Sequence, residues 1–457
     1  MPVADRRSVI IGAVQESVQE KFDVSQDWIH QEGKLGRELA VHGETYTSWV
    51  PMDARSDDHL GDWWRAYLNG VSPTKPDIES RRPVRVAELF CGPGGLAQGA
   101  RQACLELGYE FESAVAVDQD AQALSVYELN HGTQYLSDTE ATMLVQYKIQ
   151  RTKEAVKFRY PPEITDDRLG QHINGTDLLL AGPPCQGHSN LNNKTRRYDY
   201  RNELYLVVPS LAIAADIPLV VIENVTAVVH DKSGHDVTAT TAKLFDAAGY
   251  AVEMGVLKAN KLGWPQTRSR HFLVARHERL GGGPIPLMDV MEALASETRD
   301  VMWAIGDLVG KDGDSNAGMD RVPDMNSDNQ KRIKWFKDHP EDHDLPIKER
   351  PPSHQNEDTY TERKSVYGRM YSDRPSPTLT TGFGTPGRGR YVHPTELRVL
   401  TPREAARIQG FPDTYRWQIP GEPVPKAQSL AKWIGDAVPM PLGHAATLSA
   451  LGPGLPN

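Results

Sequence analysis

Three cysteines in 457 residues are too few for a disulfide framework and fit a reducing compartment. No apolar run is long enough to span a membrane. The most apolar stretch, residues 204–222, is broken by Pro209, Asp216 and Pro218, and it reads as a buried helix followed by a strand. Met1–Ile10 holds no apolar core of the kind a secretory leader needs, and the chain shows neither an internal repeat nor a low-complexity tract. A basic excess is missing too: 51 Lys+Arg stand against 61 Asp+Glu, a net charge of −10, which taken as an average points away from nucleic acid. These absences leave a cytoplasmic globular protein of two or three domains, with no membrane partner.

The charge is unevenly spread. Residues 1–80 carry 8 Lys/Arg and 14 acids, whereas 361–398 carry 7 Lys/Arg and 3 acids, and 146–160 carry 5 and 1. An acidic body with local basic segments remains compatible with phosphate contacts.

Residues 1–80 form an N-terminal extension, predicted mostly helical from its spacing and its four tryptophans (Trp28, Trp49, Trp63, Trp64), and closed by a linker at Pro73, Pro76 and Pro83. From 81 to 280 strands and helices alternate, which implies a doubly wound α/β sheet with ligands beyond the carboxyl ends of its strands. The expected strands are Val84–Phe90, Ser113–Val117, Asp177–Ala181, Leu219–Ile222, Tyr250–Leu257 and His271–Ala275, several of them short apolar runs buried on both faces. Residues 281–396 are polar, rich in Pro, Gly and Asp, and irregular. Residues 397–457 return to helix, with Thr401, Pro402 and Glu404 forming a capping box.

Four segments carry chemistry. Phe90-Cys91-Gly92-Pro93-Gly94-Gly95 follows a strand, and its glycines allow a ligand close to the backbone. Asp118, at the end of the next strand, suits ribose hydroxyls. Gly182-Pro183-Pro184-Cys185-Gln186-Gly187 holds a cysteine in a stiff loop at the ligand edge. Glu223 ends another strand at the same edge, where a carboxylate beside a nucleophile can work on protons. In Gln266-Thr267-Arg268-Ser269-Arg270 alternate residues point one way, so Arg268 and Arg270 are expected to share a face.

Together these segments resemble the motifs of the cytosine-5 DNA methyltransferase family, in the family's order, over Val84–Ala446. Pro183-Pro184-Cys185-Gln186 is similar to its nucleophile motif and Glu223-Asn224-Val225 to its acid motif. Gln266, Arg268 and Arg270 match its glutamine–arginine–arginine motif. The run from Arg398 to Arg407, continuing through Gln409-Gly410-Phe411-Pro412, resembles its long helix motif. Gly435-Asp436-Ala437-Val438-Pro439 resembles its final motif.

The resemblance implies a Rossmann-like S-adenosylmethionine-dependent methyltransferase sheet, with a smaller irregular target recognition domain at 281–396. It also implies attack of Cys185 on carbon 6 of a cytosine flipped out of double-stranded DNA. Glu223 then steadies the base, with Arg270 and Arg268 on its carbonyl side. Phe90, Gly92, Pro93, Gly94, Gly95, Asp118, Gln119, Asp138, Pro183, Leu204, Asp436, Ala437 and Val438 are the expected cofactor contacts, with Asp166 or Asp167 competing for the place of Asp138. Gln186, Ser189 and Thr378 are the expected DNA contacts, and no metal is expected. Asp436 stands where the family usually has Asn, and His188 where it often has an aromatic. The expected setting is restriction–modification or phage defence, with the enzyme a monomer on DNA and with room for nuclease or defence-system partners. The weighed alternatives are a tRNA-directed enzyme, a non-enzymatic DNA-binding relative and a nicotinamide-dependent oxidoreductase.

Overall fold

The computed structural model describes residues 24–52, 57–77, 81–152, 155–184, 204–230, 236–311, 313, 318–352, 355 and 367–456. The N-terminal unit corrects the expectation of a mostly helical extension. Strands β1 (Val24–Gln31), β2 (Lys34–Val41) and β3 (Glu44–Pro51) form an antiparallel sheet, followed by one helix, α1 (His59–Leu68). Two-residue connections set this topology. Gly33 has φ 71°, and His42 and Gly43 have φ 53° and 83°, the left-handed values that tight hairpins require. Burial follows a period of two: Leu35, Arg37, Leu39 and Val41 on β2, and Tyr46, Ser48 and Val50 on β3, all face inward.

The centre is a seven-stranded mixed sheet. In chain order it is built from β4 (Val84–Leu89), α2 (Gly95–Glu106), β5 (Phe111–Val117), α3 (Ala121–His131) and β6 (Tyr135–Ser137). A small ribbon follows, made of β7 (Val145–Gln146), β8 (Ile149–Arg151), β9 (Val156–Phe158) and β10 (Glu163–Ile164). Then come α4 (Asp167–Ile173), β11 (Leu178–Ala181), α5 (Leu204–Ala214), β12 (Leu219–Val225), α6 (Val237–Asp246), β13 (Tyr250–Lys258) and β14 (Ser269–His277). The sheet order is β13-β14-β12-β11-β4-β5-β6, with β14 antiparallel to both its neighbours and the strands from β12 to β6 parallel to one another. Every residue of β11 is fully buried, as a strand covered on both faces must be.

Helices α7 (Leu287–Ala293) and α8 (Val301–Ile305) follow the sheet, and Leu287, Val290, Val301 and Ile305 join the main core rather than a separate one. A second small core begins with α9 (Ser327–Asp338), where Ile333 and Phe336 pack with Leu345, Val392 and Val399. The parallel pair β15 (Tyr367–Arg369) and β16 (Gly389–Val392) belongs to this region. Helix α10 (Pro402–Gln409) starts at the expected capping box: Thr401 Oγ1 accepts from Glu404 N, and Glu404 accepts from Thr401 N at 2.8 Å. Helices α11 (Ala427–Asp436) and α12 (Met440–Leu451) finish the chain. Helix α12 crosses α2 at Gly99, where an added Cβ would lie 2.5 Å from His444 N and 2.6 Å from Met440 O. Only glycine permits that approach.

One buried carboxylate joins three distant segments. Glu106 on α2 accepts from Arg37 of β2 at 2.7 Å, from Gln102 at 3.2 Å, and meets His444 Nε2 of α12 at 2.7 Å. Arg37 also lies within 6 Å of the ring centres of Trp28, Trp63 and Trp64. Burial alone would raise the Glu106 pKa, but Arg37 and His444 overcome it and hold the carboxyl at about 2 against an ordinary 4.5. A carboxylate depressed in this way adds stability above pH 4.5, and that contribution is lost as pH falls through the interval down to about 2. Glu106→Gln should therefore lower unfolding free energy at pH 7 by ~3–5 kcal/mol, because Arg37 is left buried without its counter-charge. Urea titrations should show a steep acid loss between pH 4.5 and 2 in the parent protein that is reduced in the variant.

Candidate active site at the carboxyl edge of the sheet

Strand register assembles the site. Ser137, Val117, Leu89, Ala181 and Ile222 are successive cross-strand partners on β6, β5, β4, β11 and β12. The next residue on each strand is Asp138, Asp118, Phe90, Gly182 and Glu223, so five residues that precede or form the motifs stand in one row at the carboxyl edge. This row includes Asp138 and leaves out its competitors. Asp166 instead caps α4, accepting from Arg168 N and Leu169 N, and takes the Tyr135 hydroxyl at 3.1 Å. Asp167 lies in the first turn of α4.

The glycine loop is tightly bent: Phe90, Gly92 and Gly94 have φ of 57°, 51° and 97°. Asp118 holds it, taking Gly92 N on one carboxylate oxygen and Asp120 N on the other, each at 2.8 Å. Burial raises the pKa of Asp118, although both backbone donors oppose the rise. Gln119 is exposed beside it. The final turn closes on the loop. A Cβ at Gly95 would lie 2.7 Å from Val438 O and 3.0 Å from Ala437 Cβ. Pro93 O accepts from the Tyr415 hydroxyl. Asp120 bonds the indole of Trp433 on α11 at 3.0 Å, which docks the helix carrying Asp436. Asp436 keeps 61% of its side chain open, with Lys432 3.9 Å away. The surrounding walls still desolvate its carboxyl and raise its pKa; Lys432 and Arg268 oppose this and Asp118 adds to it. Asp138 and Asp436 are exposed at this edge, and their negative charge suits a ligand with a cationic group. Pro183 is buried at the end of β11, and Leu204 opens α5 at 7% exposure.

On β12, Glu223 is 7% exposed and its Oε1 lies 2.7 Å from Arg270 Nε of β14. Register explains the pairing: Val225 faces Arg270 and Glu223 faces Phe272, so Glu223 and Arg270 are diagonal neighbours on one face. Asn224 donates to Pro183 O at 3.2 Å and ties the Pro-Pro loop to β12. Gly182 sits so close to the carboxylate that a Cβ there would be 3.6 Å from Glu223 Oε2. Cys185, Gln186 and Ser189 lie outside the described residues, as does His188. The two described cysteines, Cys91 and Cys104, are both buried, and burial raises their pKa, that of Cys104 to about 12. Neither offers a thiolate near neutral pH.

Arg268 stands just before β14, where the chain after β13 still pairs with it through Ala259 N and Arg268 O at 3.0 Å. Strand β14 starts only at Ser269, because Gln266 bridges to Ser376 and Thr267 N bonds Ser376 O at 2.9 Å instead. The buried Arg268 guanidinium donates to Leu379 O at 2.9 Å and to Gly435 O at 3.0 Å. It joins the segment after β15 to the final motif. Gln266 likewise turns inward, onto Ile408 O and Gln409. Thr378 is half-buried, and its carbonyl accepts from the Tyr391 hydroxyl at 2.9 Å.

Among the described residues, one group has metal-ligand composition: His393, Glu396 and Glu404. Arg398 already engages Glu404 through two bonds of 2.7 and 2.8 Å, which sets a fixed cation where a metal would sit. Sequence reasoning missed the Asn224–Pro183 and Asp120–Trp433 bonds. Neither leaves a local signal, since the partners are 41 and 313 residues apart.

A family model described as C-5 cytosine-specific DNA methylase matches residues 84–450. The Type II methyltransferase M1.BsuMI of Bacillus subtilis (strain 168) is 36% identical over 413 residues, covering 90% of this chain and 91% of that protein. The Type II methylase M.HgiDII of Herpetosiphon aurantiacus is 28% identical over 372 residues, covering 80% and 94%. The Type II methyltransferase M1.HphI of Haemophilus parahaemolyticus is 28% identical over 374 residues, covering 80% and 86%.

Arg268→Ala should leave two buried carbonyls without a donor, at ~1–3 kcal/mol each. Urea unfolding is expected to show a loss of about 2 kcal/mol or more, with Arg268→Lys restoring only part of it because an ammonium lacks the planar fork.

Proposed function

The chain belongs to the C-5 cytosine-specific DNA methylase family, and from that premise we propose that it transfers a methyl group from S-adenosylmethionine to carbon 5 of a flipped-out cytosine in a specific duplex sequence. The row of Asp138, Asp118, Phe90, Gly182 and Glu223 across five strands is the observation that carries this reading. It brings Asp138, Asp118 and the glycine loop to one end of the edge and Glu223 to the other, which supports a methyl donor at the first and a base at the second.

S-adenosylmethionine supplies an electrophilic methyl group. Every other task falls to the chain. The Gly92–Gly95 loop, Asp118, Asp138, Gln119 and the Asp436-Ala437-Val438 turn hold the donor, and the open Asp436 carboxylate suits its amino group. Cys185 forms a bond to carbon 6 of the cytosine, which makes carbon 5 nucleophilic. Glu223 binds the ring nitrogen and amine edge of the base, and its ion pair with Arg270 holds it in position. After methyl transfer, carbon 5 loses its proton and Cys185 departs. Arg268 acts at one remove, by fixing the final motif against the segment that carries Thr378. Gln186, Ser189 and Thr378 contact the DNA.

The Type II relatives support a restriction–modification setting with a partner nuclease. A cytoplasmic monomer fits this work, and no described helix is long and apolar enough to cross a membrane. No specific observation favours an RNA substrate.

Bisulfite sequencing of DNA from cells expressing the protein should show protected cytosines in one sequence context, and none with Cys185→Ala. Protection that survives the substitution, or none in either case, rejects the reading. Glu223→Gln should lower methyl transfer to purified duplex DNA by ~10²–10⁴-fold.

A further inference from the structure

The β7–β10 ribbon fills the segment between Asp138 and Gly175, to which no motif gives a role. Strands β8 and β9 pair Ile149 with Phe158, Gln150 with Lys157 and Arg151 with Val156. The ladder continues with Arg159 N donating to Lys148 O at 2.8 Å. Burial alternates along it. Tyr147, Ile149, Val156 and Phe158 are half-buried, whereas Lys148, Gln150, Lys157 and Arg159 are exposed.

The apolar side is seated on the body. Tyr147 and Phe158 meet edge-on with ring centres 6.2 Å apart. Strands β7 and β10 rest on α5, and β9 rests on α6. At the base, Leu144 and Val145 are buried in the core that also holds Tyr205, Val208 and Leu211. A one-residue slip would bring the cations inward, so the outward face is fixed by the inward one.

That outward face is a strip of positive charge without local compensation. Lys148, Lys157 and Arg159 have no ion pair among the described residues, and Arg151 adds a fourth exposed cation near the tip. Among the described residues of these four strands, Glu163, across from Gln146 at the base, is the one acid. Cations elsewhere on the protein are commonly paired, as Arg82 is with Asp177, Arg85 with Glu112 and Arg403 with Asp320. On a chain of net charge −10, an unpaired basic strip calls for an external anion. The helices on which the ribbon rests follow the site segments in the chain: α5 comes after the loop that begins at Pro183-Pro184-Cys185, and α6 after the Glu223 strand.

We propose that this ribbon face binds the phosphate backbone of duplex DNA, outside the segment that reads the target. The proposal rests on the DNA-methylating reading above and adds a surface to it. Side chains that meet phosphates contribute affinity and orientation but carry no base sequence. The ribbon therefore strengthens the grip on DNA without altering which cytosine is chosen.

The test is the full-length triple variant Lys148→Ala, Lys157→Ala, Arg159→Ala. Its Kd for plasmid-derived duplex fragments is measured against the parent protein between about 50 and 200 mM salt. The slope of log affinity against log salt should fall by about 0.9 for each phosphate that the variant no longer neutralises, up to about 2.7 for three. Thermal unfolding should be unchanged, since all three side chains are exposed. The sequence context found by bisulfite sequencing should also be unchanged. An unaltered slope and affinity overturn the proposal and leave the strip to an acidic polypeptide. If the parent protein itself places no methyl group on DNA, the proposed function fails, while the salt comparison still reads the ribbon.

Discussion

A carboxylate taken out of water must be matched by positive charge and donors, and Glu106 is matched by groups from both ends of the chain. Arg37 comes from the N-terminal sheet and His444 from the last helix, 338 residues beyond Glu106. Neither end can leave without exposing the other partners to an uncompensated charge. Helix α2 lies between them, and its N-terminus carries the glycine loop. The N-terminal unit grips this helix at a second point, where Gln98 bonds the Tyr67 hydroxyl and that hydroxyl reaches Gly410 O. A third hold is the Asp58–Arg299 pair, which reaches across to the residues before α8. The extension is thus a brace for the catalytic half.

Arg268 makes a comparable joint on the other side. One guanidinium meets the carbonyls of Leu379 and Gly435, so the segment between β15 and β16 and the turn beside the glycine loop are set by the same group. The fit is close: a Cβ at Gly435 would lie 2.4 Å from Thr380 C and Thr381 N. The backbone around Leu379 is therefore tied directly to the turn that closes on Gly95.

The central sheet was legible because its strands are short apolar runs with nothing polar to misplace, as in Leu178–Ala181 and Leu219–Ile222. The capping box at Thr401 was legible because its signal lies within four residues. The N-terminal hairpins were not, because the spacing and the four tryptophans were read as helical. Only the left-handed φ at Gly33, His42 and Gly43 reveals those turns. The carboxyl-edge residues were legible from their strands, but that Asp138 stands in their row while Asp166 and Asp167 begin α4 shows only in the cross-strand register, which no local pattern contains. The bonds of Arg268 to Leu379 O and Gly435 O were not legible, because those partners lie 111 and 167 residues away.

The closing turn has a consequence for when the enzyme becomes competent. The wall against Gly95 is made by Ala437 and Val438, and the helix behind it, α12, is buried along α2 with Leu442, Ala445 and Leu451 fully enclosed. Synthesis delivers the glycine loop some 340 residues before that wall. A nascent chain carries the glycine loop early, yet the loop has no facing wall until Ala437 and Val438 have been made. A chain that stops before Ala437 and Val438 has the loop and lacks the wall that faces it.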